Sequence, residues 1–196
     1  MRNTTAIVLA AGQSSRMNGI QKLLLPIGGV PMLQHTLDLA ARFPFFTRTI
    51  LITTPEVARQ MQTTAQIVIN PTPEAGQSSS VILGVQAAQP DTGLLFLTGD
   101  QPLLDAATLH TILAADDGDC IVSPITSDGT PKSPVLFAPR FRAALLTLQG
   151  DTGGRQIRQQ FPAACKAVRI PNEQALLDVD TPADYKEMLT HWEGRP

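Results

Sequence analysis

Four short segments of this sequence carry residue types that could act together. They are the small-residue run Leu9-Ala10-Ala11-Gly12-Gln13-Ser14-Ser15-Arg16, the lysine Lys22, and the aspartates Asp100 and Asp180. In the run, Gly12 removes a Cβ that would keep a ligand from the backbone. Gln13, Ser14 and Ser15 add donors beside backbone N–H groups, which can cradle phosphate oxygens. Arg16 supplies a planar fork for phosphate, and Lys22, set in the apolar context Gln21-Lys22-Leu23-Leu24-Leu25-Pro26, supplies a second cation whose direction the fold must set. The glycine spacing fits neither the GxxxxGKS/T phosphate loop nor the GxGxxG dinucleotide fingerprint. Asp100 closes the apolar run ending Thr98-Gly99-Asp100-Gln101-Pro102. Beside a phosphate chain such a carboxylate is explained by a bridging Mg²⁺, a hard cation that takes oxygen ligands; standing alone it reads first as a turn or cap residue. Asp180, in Leu177-Asp178-Val179-Asp180-Thr181-Pro182, repeats the arrangement and is either a second ligand or, with Thr181, the cap of the last helix.

These residues need elements that bring them to one edge. Apolar runs predict strands at 6–9, 49–53, 66–69, 94–98 and 120–122, with further candidates at 134–137 and 167–170. Helical spacing predicts helices over 32–41, 55–62, 78–88, 105–115, 141–148, 155–160 and 182–191. The serines at 78–80 stand where they could cap their helix, and Leu94 to Thr98, apolar on both faces, reads as a central parallel strand. The alternation predicts an α/β fold, a three-layer α/β/α Rossmann-like arrangement with a mostly parallel central sheet. In such sheets ligands gather beyond the carboxyl ends of the strands, where both the loop and Asp100 lie. Regularity breaks over 123–139, which holds four prolines.

At 196 residues the chain fits a single domain spanning 1–196. With 43% hydrophobic, 16% charged and 5% aromatic residues, the core should be aliphatic. A net charge of −2 and a pI near 5.9 give no long-range pull on nucleic acid or anionic membrane. The first apolar run, Ala6 to Ala11, is too short for a signal-peptide core or a membrane span, so a cytoplasmic location is expected. Cys120 and Cys165 lack the paired spacing of a zinc site, and His35, His110 and His191 have no neighbour at ligand spacing.

LAAGQSSRM followed by KLLLPIGGVPML resembles the N-terminal signature of the MobA-like nucleotidyltransferases. The paired alanines with KLLLP look most like the molybdenum cofactor cytidylyltransferase branch; the related guanylyltransferases usually show a second glycine in place of Ala11. The resemblance implies that the loop from Leu9 to Arg16 wraps a triphosphate, that Arg16 and Lys22 contact it, and that Asp100 and Asp180 hold Mg²⁺. It implies that Gly76, Ser78 and Ser79 help hold base and ribose. GTPKSPVLF at 129–137 resembles the family's substrate-side loop, where a histidine or asparagine commonly precedes the second proline. Here Ser133 stands in that place, and Lys132 offers a cation instead. Gly150-Asp151-Thr152-Gly153-Gly154-Arg155 resembles the family's GDxGAR stretch, so Asp151 and Arg155 would border the acceptor.

The implied division is nucleotide binding in 1–122 and an acceptor side in 123–175. The implied reaction is CMP transfer from CTP to a molybdopterin-type phosphorylated acceptor, with a molybdoenzyme or its chaperone as the candidate partner. The alternatives are a guanylyltransferase using GTP, a transferase acting on a sugar or alcohol phosphate, or a non-catalytic module that delivers cofactor. A pure binder would need no two-carboxylate metal site.

Overall fold

The structure is a computed structural model that describes residues 3–14, 17 and 19–193. In chain order the elements are β1 (Thr4–Ala10), β2 (Pro26–Ile27), β3 (Val30–Pro31), α1 (Met32–Arg42), β4 (Phe46–Thr53), α2 (Pro55–Ala58), β5 (Gln66–Ile69), α3 (Gln77–Ala87), β6 (Gly93–Thr98), α4 (Ala106–Ala114), β7 (Ile121–Ile125), β8 (Val135–Phe137), α5 (Arg142–Leu145), α6 (Gly154–Gln160), β9 (Cys165–Arg169) and α7 (Pro182–Glu193). All the strands except the small β2–β3 hairpin form one sheet in the order β5-β4-β1-β6-β8-β7-β9.

Strand periodicity builds two cores. Ala6, Val8 and Ala10 of β1, with Leu95 and Leu97 of β6, face one side and meet Leu33 and Leu37 of α1 and Leu109 and Ile112 of α4. Ile7, Leu94 and Phe96 face the other side and meet Val81 and Val85 of α3, Leu145 of α5 and Ile157 of α6. A strand buried on both faces must be apolar at every position, which is why β1 and β6 read as continuous runs. The result is the three-layer α/β/α arrangement with a mostly parallel sheet.

The structure departs from the sequence expectation in four places. β6 is parallel only to β1, because β8 lies between β6 and β7 and runs antiparallel to both. The short loop from β7 to β8 allows nothing else, since a parallel crossover needs a dozen or more residues. α2 stops at Ala58 rather than reaching Gln62. Gln34 of α1 takes both backbone groups of Gln62, at 3.1 and 2.7 Å, and draws the chain out of the helix. The expected helix over 141–148 is a 3₁₀ turn, Pro139–Phe141, followed by the four-residue α5. The serines do not cap α3; its N-cap is Gly76. No helix among the described residues is long and apolar enough to cross a membrane.

Candidate functional site

The parallel register of β1 and β6 sets Leu9 opposite Thr98, so the two chains leave the sheet side by side, and Gly99 N–H donates to Leu9 C=O at 3.1 Å. The loop after β1 is fastened from within. Ser14, at φ 51°, donates its hydroxyl to Gln21 Oε1 at 2.9 Å and accepts the Lys22 N–H at 3.2 Å. Gln21 Nε2 donates to Gly12 C=O at 3.4 Å. Loop and lysine are thereby one unit. Among the described residues, apart from its chain neighbours, nothing lies within 4 Å of where a Cβ on Gly12 would stand, so packing against them does not demand glycine there. Two candidates, Ser15 and Arg16, lie outside the described residues.

Lys22 Nζ lies 2.6 Å from Asp100 Oδ2 and 2.9 Å from Asp180 Oδ1. The lysine and Asp100 side chains are only 13% and 19% exposed. Burial would lower the Lys22 pKa, but the Asp100 and Asp180 carboxylates outweigh it, and the ammonium is held above its ordinary value. Asp100 Oδ1 is buried without a hydrogen-bond partner among the described residues.

The cap readings of the two aspartates are answered by neighbours. Asp105 caps α4, accepting Thr108 N–H at 2.8 Å. At α7, Thr181 Oγ1 accepts Asp184 N–H at 3.2 Å and Asp184 accepts Thr181 N–H at 2.8 Å, a reciprocal capping box. Asp180 Oδ1 is left to face Lys22.

A third carboxylate joins the pair. Asp178 takes Lys132 Nζ at 3.3 Å. Burial raises the Asp178 pKa, the Asp100 and Asp180 charges add to that rise, and Lys132 opposes it. Gln101, fully buried, ties this corner together: its Nε2 donates to Ser133 C=O at 3.2 Å and Leu176 C=O at 3.3 Å. Val179 N–H donates to Asp100 C=O at 3.0 Å. Gln101→Leu should therefore cost about 1–2 kcal/mol, since two buried carbonyls lose their donor while one unpartnered amide oxygen disappears. A urea midpoint equal to wild type would contradict this.

The loop, Lys22 and the two aspartates share a cleft of about 560 Å³. It gathers Leu9, Ala10, Ala11, Gly12, Gln13, Ser14, Lys22, Gly76, Asp100, Asp151 and Asp180. Ser78 and Ser79 are not among its lining residues. Ser78 N–H donates to Gly150 C=O at 3.2 Å, and Ser79 Oγ donates to Gly76 C=O at 2.8 Å. Ser80, on the same helix face as Gln77, lines the cleft in their place. Lys132 and Ser133 stand beyond Asp178, and Arg155 is exposed on α6 near Arg158.

Sequence reasoning did not single out Gln101, Gln21, Asp178 or Ser80. A glutamine directly after a strand-closing aspartate, and a second aspartate two residues before Asp180, were the available signals. The histidines stand apart from the cleft: His35 bonds Ile27 C=O and packs on Trp192, His110 packs on Phe43 and Phe45, and His191 pairs with Glu187.

A Rossmann-like sheet with this loop at its carboxyl edge is the architecture of nucleotidyltransferases. The Rv0371c homologue of Mycobacterium sp. strain JC1 superposes with a TM-score of 0.85 at 28% identity, covering 97% of this chain and 96% of that one. Rv0371c of Mycobacterium tuberculosis H37Rv, in complex with manganese, superposes with a TM-score of 0.76 at 26% identity over 96% and 98% of the two chains. Residues 6–166 match the MobA-like NTP transferase domain, and the chain belongs to that family of nucleotidyltransferases.

Among curated relatives, the 2-C-methyl-D-erythritol 4-phosphate cytidylyltransferase of Geobacillus kaustophilus is 33% identical over 188 residues, 89% of this chain and 82% of that protein. The molybdenum cofactor guanylyltransferase of Cupriavidus metallidurans is 28% identical over 181 residues, 87% and 86% of the two chains. The chain spans about a quarter of the length of the bifunctional protein GlmU of Leifsonia xyli, which it matches at 33% identity over 126 residues.

Proposed function

We propose that this chain transfers CMP from CTP to the phosphate of a molybdopterin-type acceptor, releasing pyrophosphate. The observation that carries the reading is the Lys22 ammonium between Asp100 and Asp180, in the cleft that the Leu9 to Ser14 loop also lines. Cation, paired carboxylates and open backbone donors in one cleft suit a polyphosphate better than any neutral ligand.

A divalent cation fits the residues present. Carboxylate oxygens are the donors Mg²⁺ takes, and the buried Asp100 Oδ1, which has no hydrogen-bond partner among the described residues, has a ligand to gain. Asp100 and Asp180 would hold the ion, and the manganese in the mycobacterial neighbour supports the choice. Bound there, the ion supplies positive charge against the transferring phosphoryl group.

The chain's own residues do the rest. N–H groups of the Ala11 to Ser14 loop donate to phosphate oxygens, and Arg16 and Lys22 neutralise the β- and γ-phosphates. Gly76, with Gln77 and Ser80, borders the nucleoside; Ser78 and Ser79 support that border from behind. Lys132, oriented by Asp178, receives the acceptor phosphate, with Ser133, Asp151 and Arg155 further around it. An acceptor phosphate oxygen attacks the α-phosphorus as the bond to the bridging α–β oxygen breaks, and the pyrophosphate takes that electron pair. No covalent enzyme intermediate is needed, so positioning and charge stabilisation carry the rate.

The division into a nucleotide side at 1–122 and an acceptor side at 123–175 is crossed at one point, since Asp151 lies in the cleft with Gly76. Ala11 and the KLLLP run favour CTP. A second reading, an alcohol-phosphate acceptor, is favoured by the cytidylyltransferase relative that the chain covers over most of its length.

The test is pyrophosphate release with each of the four NTPs and Mg²⁺, offered molybdopterin or 2-C-methyl-D-erythritol 4-phosphate. Release with CTP that depends on molybdopterin is expected. Release only with GTP, or only with the alcohol phosphate, overturns donor or acceptor. Nucleotide binding without release under any pairing would make the chain a carrier.

A further inference from the structure

We infer that Lys22 is an internal lock on the metal site, which closes it to a free divalent cation and opens it to one arriving with a triphosphate. This rests on the assignment of Asp100 and Asp180 as metal ligands made above.

The lock follows from who holds the carboxylate oxygens. Lys22 Nζ contacts Asp100 Oδ2 at 2.6 Å and Asp180 Oδ1 at 2.9 Å, so one ammonium spans both carboxylates. A Mg²⁺ ion must approach its oxygens to about 2.1 Å, so to take Asp100 Oδ2 and Asp180 Oδ1 it must displace the ammonium that holds them, while the other Asp100 oxygen, Oδ1, is buried. Nor is the lysine free to swing aside without consequence. Its side chain is 13% exposed, and it opens the 3₁₀ turn Lys22–Leu24, which Gln21 and Ser14 fasten to the phosphate loop. A bare dication that displaced it would leave a half-buried ammonium without a counter-charge, which is strongly unfavourable.

A triphosphate removes that obstacle. Lys22 N–H is bonded to Ser14 Oγ, within the loop that would take the phosphates, so the polyanion arrives beside the lysine's own backbone. The ammonium exchanges carboxylate for phosphate as the dication takes the carboxylates, and every charge keeps a partner. Metal and triphosphate should then bind with positive coupling, which linkage makes reciprocal.

The experiment is a Mn²⁺ titration read by the electron paramagnetic resonance of free Mn²⁺. It compares wild type, Lys22→Met, Lys22→Gln and the double variant Lys22→Met with Asp100→Asn. Each is measured alone and with a CTP analogue whose α–β bridge resists cleavage, and circular dichroism confirms folding. Wild type should bind Mn²⁺ at least about tenfold more tightly with the analogue than without it. Lys22→Met and Lys22→Gln should bind free Mn²⁺ at least about tenfold more tightly than wild type, and the double variant should lose that gain.

Equal free-Mn²⁺ affinity in wild type and both single variants overturns the lock and leaves the transferase reading to the pyrophosphate assay. A gain that survives in the double variant places the ion elsewhere and overturns it too. If the gain appears but no donor releases pyrophosphate, the transferase reading fails and the lock stands.

Discussion

Asp100→Ala is expected to slow pyrophosphate release by about a thousandfold, the scale of losing a charge-stabilising element at the transferring group. The same variant should shift the melting temperature by less than about 4 °C, equivalent to roughly 1 kcal/mol for a chain of this size. The two halves of the expectation come from different atoms. Asp100 leaves the sheet at the end of β6, where its side chain lines the cleft and its carbonyl accepts Val179 N–H. The substitution removes the carboxylate and keeps the carbonyl, so the segment carrying Asp178 and Asp180 stays in place. The ion pair with Lys22 is lost, but Lys22 retains Asp180 Oδ1. The buried Oδ1, which has no hydrogen-bond partner among the described residues, disappears as well, which offsets part of the loss. A pyrophosphate-coupled assay beside a thermal melt decides it. Release within tenfold of wild type would remove Asp100 from the chemistry, and a collapse of the melting temperature would make it a structural residue.

What the sequence made legible, and what it hid, divides along a physical line. β1 and β6 were readable because a strand buried on both faces must be apolar throughout, and the loop after β1 because small residues at a carboxyl edge have few other uses. Direction was not readable for β8: Pro134-Val135-Leu136-Phe137 shows apolar residues, and apolar residues carry no sense of parallel or antiparallel. The short loop before it held that information, through the length a crossover requires. The end of α2 was hidden because the side chain that terminates it, Gln34, belongs to another helix.

At the site, the pairing of Asp100 with Asp180 could be read from two similar segments, but the cation between them could not, since residues 22, 100 and 180 meet only in the fold. Whether Asp180 or Thr181 caps α7 was decided by Asp184, whose spacing three residues after Thr181 is a capping signal present in the sequence. The serines of α3 turned on phase. With Gly76 as the cap, helical periodicity sends Ser80 to the face shared with Gln77, while Ser78 meets Gly150 through its backbone N–H.

Gly76 is where the N-terminus of α3 and the loop after α5 are locked together, and Gly76→Ala should therefore be strongly destabilising. The residue adopts φ 92° and ψ −179°, a conformation open to glycine and strained for any other residue by about 1–3 kcal/mol. An added Cβ would also stand 2.5 Å from Gly150 C and O and 2.6 Å from Asp151 N. These are backbone atoms with duties of their own. Gly150 C=O accepts Ser78 N–H, and Asp151 Oδ1 accepts Gln77 N–H at 3.4 Å. Together they cap an α3 N-terminus that receives no side-chain cap from its own N-cap residue.

The methyl must push this loop away, freeing two helix-terminal N–H groups at about 1 kcal/mol for a lost cap. Strain and cap together predict a loss of about 3 kcal/mol. Because Asp151 moves with the loop and lines the cleft, KM for the nucleoside triphosphate should rise at least about tenfold, as a misplaced binding group implies. Gly12→Ala is the matched control: the same methyl, meeting no atom of the described residues within 4 Å beyond its chain neighbours, should leave the urea midpoint unchanged. If Gly76→Ala and Gly12→Ala unfold at the same urea concentration, the loop at 150 slides freely over α3, and the coupling of the two halves of the cleft through Gly76 is wrong.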